Sequence, residues 1–272
     1  MQQFSGSPMA LLRSLRDNRS LIGALVKREV AGRYRGSMLG VIWSFVNPVL
    51  MLAVYTFVFS EVFKARWNGG VGSKTEFAIV LFSGLMIFNL FAECFNRAPS
   101  LVLSNANYVK KVVFPLEILP VVVLGSAVFH LLVSSLVWFL FFVLCMGVPP
   151  LTALLMPVAI LPLLLLSLGV SWFLASLGVY LRDIAQFTGI LTTVLMFMSP
   201  IFYPISALPK EYQYLMMLNP LTPVIGEARD ALIWGRMPDW IQLGGYTLIM
   251  LVVAWSGFAW FQKTRKGFAD VL

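Results

Sequence analysis

Few residues in this chain could do chemistry, and their spacing lacks the usual combinations. There is one histidine, His130, and there are two cysteines, Cys94 and Cys145, too far apart for a C-x-x-C metal or redox site. No H-E-x-x-H or G-x-S-x-G occurs, and the acids near the expected membrane faces, Glu61, Glu76, Glu93, Asp183, Glu227 and Asp230, do not pair into a general acid and base. Gly70-Val71-Gly72-Ser73-Lys74-Thr75 imitates the end of a phosphate-binding loop. That motif needs glycine directly before the lysine, between a strand and a helix, and here Ser73 intervenes. The sequence predicts no catalytic site, no metal and no cofactor on this chain.

The elements that would position these residues follow from composition. Of 272 residues, 59% are hydrophobic and 12% charged, with a mean hydropathy of +0.85. Soluble domains are roughly 45–50% apolar and about 25% charged, so this chain reads as an all-α polytopic membrane protein with no second soluble domain. Runs free of Asp, Glu, Lys and Arg, set against the ~20 residues that cross hydrocarbon, predict six spans, the second from a short run of 16 at 77–92 extended past Glu93 through Cys94-Phe95-Asn96. They cover about 36–60, 77–96, 118–146, 151–181, 184–204 and 240–262. The third and fourth are separated at Gly147-Val148-Pro149-Pro150, where glycine and proline break a helix.

The net charge of +8 is assigned to one membrane face rather than to nucleic acid. With the N-terminus inside, segments 1–35, 93–117, 182–183 and 263–272 hold 14 of the 20 Lys and Arg. Acidic residues divide evenly, so both termini are expected in the cytoplasm. Asn18-Arg19-Ser20, a glycosylation sequon, then faces the wrong side to be used. Residues 9–30 carry leucines, isoleucine and valines at helical spacing with basic residues largely off that stripe, as in a helix lying in a headgroup layer, interrupted near Asp17-Asn18. An alternative reading is a basic topology anchor. Between spans five and six, Tyr212 to Gly226 is apolar, too short to cross, and broken by Pro220 and Pro223. It reads as a re-entrant or interfacial element.

Ion-driven transporters place acidic, basic or histidine relays at membrane depth. Here the spans offer His130, which reads most simply as packing against a neighbouring helix. Aromatics are abundant, and Trp43, Trp67, Trp234, Trp240 and Trp260 fall near span ends as an interfacial belt. Tyr55 and Phe59, four residues apart, either pack or line a polar conduit.

Five segments resemble a known family. Lys27-Arg28-Glu29-Val30, Arg33-Tyr34-Arg35-Gly36-Ser37, Leu39-Gly40, Trp43 and Asn47-Pro48 are similar to the opening of ABC-2 type permeases that export polysaccharides. Asn105, Tyr108-Val109-Lys110-Lys111, Phe114-Pro115, Glu117 and Leu119-Pro120 resemble their first cytoplasmic loop. Tyr180-Leu181-Arg182-Asp183-Ile184 resembles the turn before their fifth span. Ser199-Pro200-Ile201-Phe202-Tyr203-Pro204 and Asn219-Pro220-Leu221-Thr222-Pro223 resemble that span's end and the loop beyond. The fit is nearest to O-antigen export permeases, while teichoic-acid and capsule permeases share the plan.

The resemblance implies a bacterial inner-membrane half-transporter, with a 1–35 amphipathic segment, a transmembrane domain over 36–262 and a 263–272 tail. Two copies would pair around a conduit, and two ATP-binding subunits would dock beneath, carrying the ATP and Mg. The cargo would be a polysaccharide on a polyprenyl diphosphate lipid. Asn105, Tyr108, Lys110, Lys111, Phe114 and Pro115 would couple to the ATPase. By resemblance and position, Tyr55 and Phe59 with Phe197, Phe202 and Tyr203 would line the conduit. Arg33 and Arg35, with Arg97 facing them, would hold the diphosphate, because a guanidinium fork bonds phosphate oxygens in pairs. The same arginines would also serve simply as topology anchors. Alternatives are an ABC-2 permease for a lipid or drug, or a membrane-bound enzyme of envelope synthesis.

Overall fold

The computed structural model describes residues 5–58, 74–111 and 114–272. Helix α1 (Pro8–Asp17) starts where Ser7 Oγ accepts the Ala10 N–H at 3.2 Å, with proline in the first turn, where its missing N–H costs nothing. It breaks at Asn18, and α2 (Arg19–Arg33) follows. Leu25 and Val30 of α2 are buried, and Leu25 packs with Ile118 and Val122, so this helix leans on protein along one face.

Next come α3 (Trp43–Thr56), α4 (Lys74–Arg97) and the short α5 (Ala106–Lys111). Helix α6 (Leu119–Met146) ends at Gly147, and Pro149-Pro150 lead into α7 (Met156–Ala159) and α8 (Leu161–Tyr180). The remainder is α9 (Ile184–Phe197), α10 (Lys210–Met217), α11 (Leu221–Arg229), α12 (Trp240–Thr264) and α13 (Phe268–Val271). Helix α4 is the hub, buried almost all round and packed against α3, α6, α8 and α9. Helices α8 and α12 cross closely because glycines meet: a Cβ on Gly169 would lie 2.7 Å from the Val253 carbonyl oxygen.

The expectation of six spans is corrected here. Among the described residues four helical stretches are long and apolar enough to cross a membrane: Thr75–Ser100, Leu116–Met146, Leu151–Tyr180 and Trp240–Val271. The first and fifth expected spans are instead the shorter apolar helices Gly40–Thr56 and Ile184–Phe197. A charge-free run measures polarity, not helix. Gly36 and Gly40 take positive φ (83° and 53°), so the α-helix begins only at Trp43. At the other site Ser199-Pro200 cannot extend α9, which has 14 residues and a length of about 21 Å against ~30 Å of hydrocarbon.

The segments with the basic excess gather at one end of the bundle. Ser14 donates to Glu117 at 2.8 Å, Arg265 pairs with Glu117 at 2.6 Å, Arg97 pairs with Glu29, and Tyr180 donates to the Thr264 carbonyl at 3.0 Å. At the opposite end, Thr152 donates to the Ala231 carbonyl at 2.7 Å, joining the α6–α7 turn to the turn after α11.

Candidate functional site

At the basic end, the close of α2 meets α4 and α6 over a cavity of about 420 Å³. Its walls carry Asn47 and Tyr55 of α3, Asn89 and Glu93 of α4, and His130 and Ser134 of α6, with Arg33 and Tyr34 at the rim. Helical spacing puts Asn89 and Glu93 on one face of α4, and His130 and Ser134 on one face of α6. Arg33 Nη2 donates to Glu93 Oε1 at 2.5 Å, Arg97 Nη1 lies 3.6 Å from the same oxygen, and Arg97 also pairs with Glu29.

His130 ties the other side of the cluster. Its Nδ1 is 2.9 Å from Glu93 Oε2 and its Nε2 is 3.2 Å from the Tyr34 hydroxyl. Burial pushes the Tyr34 hydroxyl above its ordinary range, so it meets Nε2 as a protonated hydroxyl. The Glu93 carboxylate can only accept, so Nδ1 carries a proton and donates to it. Arg33 Nη1 sits 3.1 Å from Nδ1, and with that nitrogen donating, the guanidinium is held through Glu93.

A second cluster surrounds the segment between α5 and α6. Tyr108 and Phe114 stack with ring centroids 4.3 Å apart and planes 12° from parallel. Arg28 of α2 donates to the Tyr108 hydroxyl at 3.1 Å, and Arg265 donates to the Phe114 carbonyl at 2.7 Å. Trp172 of α8 donates to the Glu117 carbonyl at 2.9 Å. The segment is therefore bolted to α2, to α8 and to the chain's C-terminal end. Asn105 donates to the Leu101 carbonyl at 2.9 Å and closes the turn before α5.

The third cluster is the broken end of α9. Phe197 and Phe202 stack at 5.6 Å, and the Tyr203 hydroxyl donates to the Phe197 carbonyl at 2.6 Å. A helix end within a bundle leaves carbonyls that need donors. Asn219 donates to the Met198 carbonyl at 3.0 Å, and the buried Arg229 donates to the Pro200 carbonyl at 2.7 Å. The α10–α11 segment thus completes the short helix with side chains.

The sequence profile of the ABC-2 type transporter family matches residues 20–233, most of the chain and all three clusters except their N- and C-terminal ties. The chain belongs to the ABC-2 type transporter family. It is similar to the O-antigen export system permease protein RfbA of Myxococcus xanthus, at 28% identity over 96% of this chain and 98% of the relative. An RfbA of Klebsiella pneumoniae is 26% identical over 93% and 95%. The polysialic acid transport protein KpsM of Escherichia coli is 23% identical over 90% and 93%. The chain is a multi-pass membrane permease subunit of the polysaccharide-export branch, in a family of transporters rather than enzymes.

The permease brings some of the expected site residues together and leaves others apart. Arg33 and Arg97 converge on Glu93, whereas Arg35 is exposed. Tyr108 and Phe114 meet, with Pro115 directly before the turn into α6. The side chains of Lys110 and Lys111 lie outside the description, as does Phe59. Tyr55 lines the cavity, while Phe197, Phe202 and Tyr203 cluster at the end of α9 and are not among its walls. Sequence reasoning missed Glu93, Tyr34 and His130 as partners. The available signal was the spacing of polar residues in apolar helices, Asn89 with Glu93 and His130 with Ser134. Among the described residues no group of three His, Cys, Asp or Glu could hold a metal.

Proposed function

We propose that this permease moves a polysaccharide linked to a polyprenyl diphosphate across the bacterial inner membrane, with O-antigen-type polymer as its cargo. Two copies pair around the path, and two ATP-binding subunits supply hydrolysis with ATP and Mg. Both termini lie in the cytoplasm. The observation that carries this reading is the polar cavity at the end of the bundle bearing the basic excess, with Arg33 at its rim and Arg97 beside it. A lipid headgroup held at that depth needs donors that match phosphate oxygens, and guanidinium forks supply them. Similarity over nearly the full length to permeases of O-antigen export supports the cargo class.

Docking of the ATP-binding subunits falls on the Asn105–Pro115 segment, with α1 and α2 as a second contact. What supports this is rigidity. A force applied at Tyr108 and Phe114 passes through Arg28, Glu117 and Arg265 into α2, α8 and α12. Phe197 is exposed, with Phe202 and Tyr203 half-buried beside it, and this aromatic surface would give a sliding glycan many weak, sequence-tolerant contacts.

The test is made in cells that synthesise such a polymer. Removing the permease should trap lipid-linked polymer inside, and restoring it should return polymer to the surface. Surface polymer that persists at normal levels without the chain overturns the cargo. For orientation, single cysteines at 265–270 should resist an impermeant thiol reagent added outside, while those at 206–212 react. Reaction at 265–270 reverses the topology.

A further inference from the structure

We infer that the Glu93 carboxylate is an exchangeable counter-anion, which a diphosphate headgroup displaces from Arg33 and Arg97. The inference rests on the diphosphate reading above and concerns how the site is kept when empty.

Three features carry it. First, one oxygen of Glu93 serves both arginines unequally: Arg33 Nη2 bonds Oε1 at 2.5 Å, while Arg97 Nη1 stands 3.6 Å away, beyond a hydrogen bond. Glu93 thus bonds one nitrogen of the Arg33 fork and only stands near Arg97, whose other nitrogen pairs with Glu29, and each fork could take a pair of phosphate oxygens. Second, Glu93 already has somewhere to go. Its other oxygen, Oε2, accepts from His130 Nδ1 at 2.9 Å, and His130 is steadied through Nε2 by Tyr34 at 3.2 Å. When the arginines turn to a ligand, the carboxylate keeps this partner and is not stranded as a bare charge. Third, the cluster borders open, polar space. Arg33 and Arg97 keep 37% and 31% of their side-chain surface exposed, and the adjoining cavity of about 420 Å³ is walled by Asn47, Asn89 and Ser134 as well as Glu93. A brace whose task was rigidity alone would be closed over by packing.

In this arrangement Glu93 keeps the arginines aligned while no ligand is bound and competes with the ligand when one arrives. His130 and Tyr34 are positioning residues that hold the displaced carboxylate. Glu29, the second acid on Arg97, competes in the same way at one of the two forks.

The decisive variant is Glu93→Gln, because the two roles predict opposite signs. The full chain in nanodiscs is titrated with farnesyl diphosphate, inorganic pyrophosphate and farnesol. Removing a competing charged partner should tighten both phosphate-bearing probes by about tenfold, the scale of one charge-assisted hydrogen bond, and leave farnesol unchanged. Equal gain for the two phosphate probes assigns the exchange to the headgroup and not to the lipid tail. Unchanged or weaker binding of both overturns the inference. If Glu93→Gln fails to fold by size exclusion, Glu29→Gln decides: tightening by a smaller factor supports exchange at Arg97, and weakening overturns it. Wild-type protein that binds no farnesyl diphosphate defeats the cargo reading itself. Wild-type binding with no gain in the variant defeats counter-anion exchange alone.

Discussion

Replacing Arg265 with methionine keeps much of the stem and removes the fork that joins the C-terminal end of the permease to the segment between α5 and α6. In the native chain Nη1 bonds Glu117 Oε2 at 2.6 Å and Nη2 bonds the Phe114 carbonyl at 2.7 Å. The two side chains are 13% and 10% exposed, so little water is at hand to solvate what remains. Removing one member of a buried pair costs about 3–5 kcal/mol, because the other charge is left uncompensated. The Ser14 hydroxyl, 2.8 Å from Glu117 Oε1, still donates, and the residual exposure admits some water. The expected loss is therefore about 2–3 kcal/mol. In Arg265→Met the midpoint of thermal unfolding should fall by roughly 5 °C or more. Amide exchange should accelerate over 106–118, where the tie was made, and stimulation of the partner's ATPase should weaken. Adding Glu117→Gln removes the stranded charge and should recover about half the loss, a coupling on the order of 1–2 kcal/mol in a double-mutant cycle. An Arg265→Met protein with native unfolding and native exchange at 106–118, or a double variant no better than the single, refutes the reasoning.

The remaining expectations concern packing, recognition and passage. Gly169→Leu should abolish or severely reduce folded protein, since its Cβ would meet backbone of α12 at 2.7 Å, whereas Gly189→Ala, with open space around it, should be neutral or stabilising by up to about 1 kcal/mol; yield and unfolding midpoint check both. Arg33→Lys should lower export by several fold because the fork that would pair phosphate oxygens is lost, while Arg35→Lys, exposed, should export normally; equal behaviour of the two, measured as surface polymer, removes Arg33 from recognition. Alanine at Phe197, Phe202 and Tyr203 together should cut exported polymer much more than complex stability, and full export would make these residues packing only.

What was legible in the sequence was what depends on neighbours in the chain. Gly147 and the prolines after it end α6 by local geometry, and the basic segments gather at one end because each marks the same end of a helix. Asp17-Asn18 splits the N-terminal helix where a polar pair interrupts an apolar stripe. Helix length was read poorly, because an uncharged stretch looks alike whether it is helix, a left-handed glycine turn at Gly36 and Gly40, or the irregular run after Ser199-Pro200. The ion pairs were out of reach for another reason. His130 and Glu93 are 37 residues apart, and Arg265 and Glu117 are 148 apart; no local period links such partners. Of the proposed diphosphate site, the arginines were visible from their place beside the membrane, but the acid between them was not.

The shortness of α9 also sets an order of events during synthesis. The carbonyls of Met198 and Pro200, just past its end, are satisfied by Asn219 and Arg229, residues that leave the ribosome after the helix itself. At about 5–20 residues per second, those donors arrive on the order of seconds late. Through that interval the Met198 and Pro200 carbonyls lack these donors and cannot rest in hydrocarbon, so they must be sheltered by the insertion machinery or by water at the membrane surface. The α10–α11 segment is in the converse position, since it carries an arginine that is buried against the Pro200 carbonyl and α4. The two halves of this region are therefore obliged to enter the membrane together, as one unit of biogenesis rather than as successive hairpins.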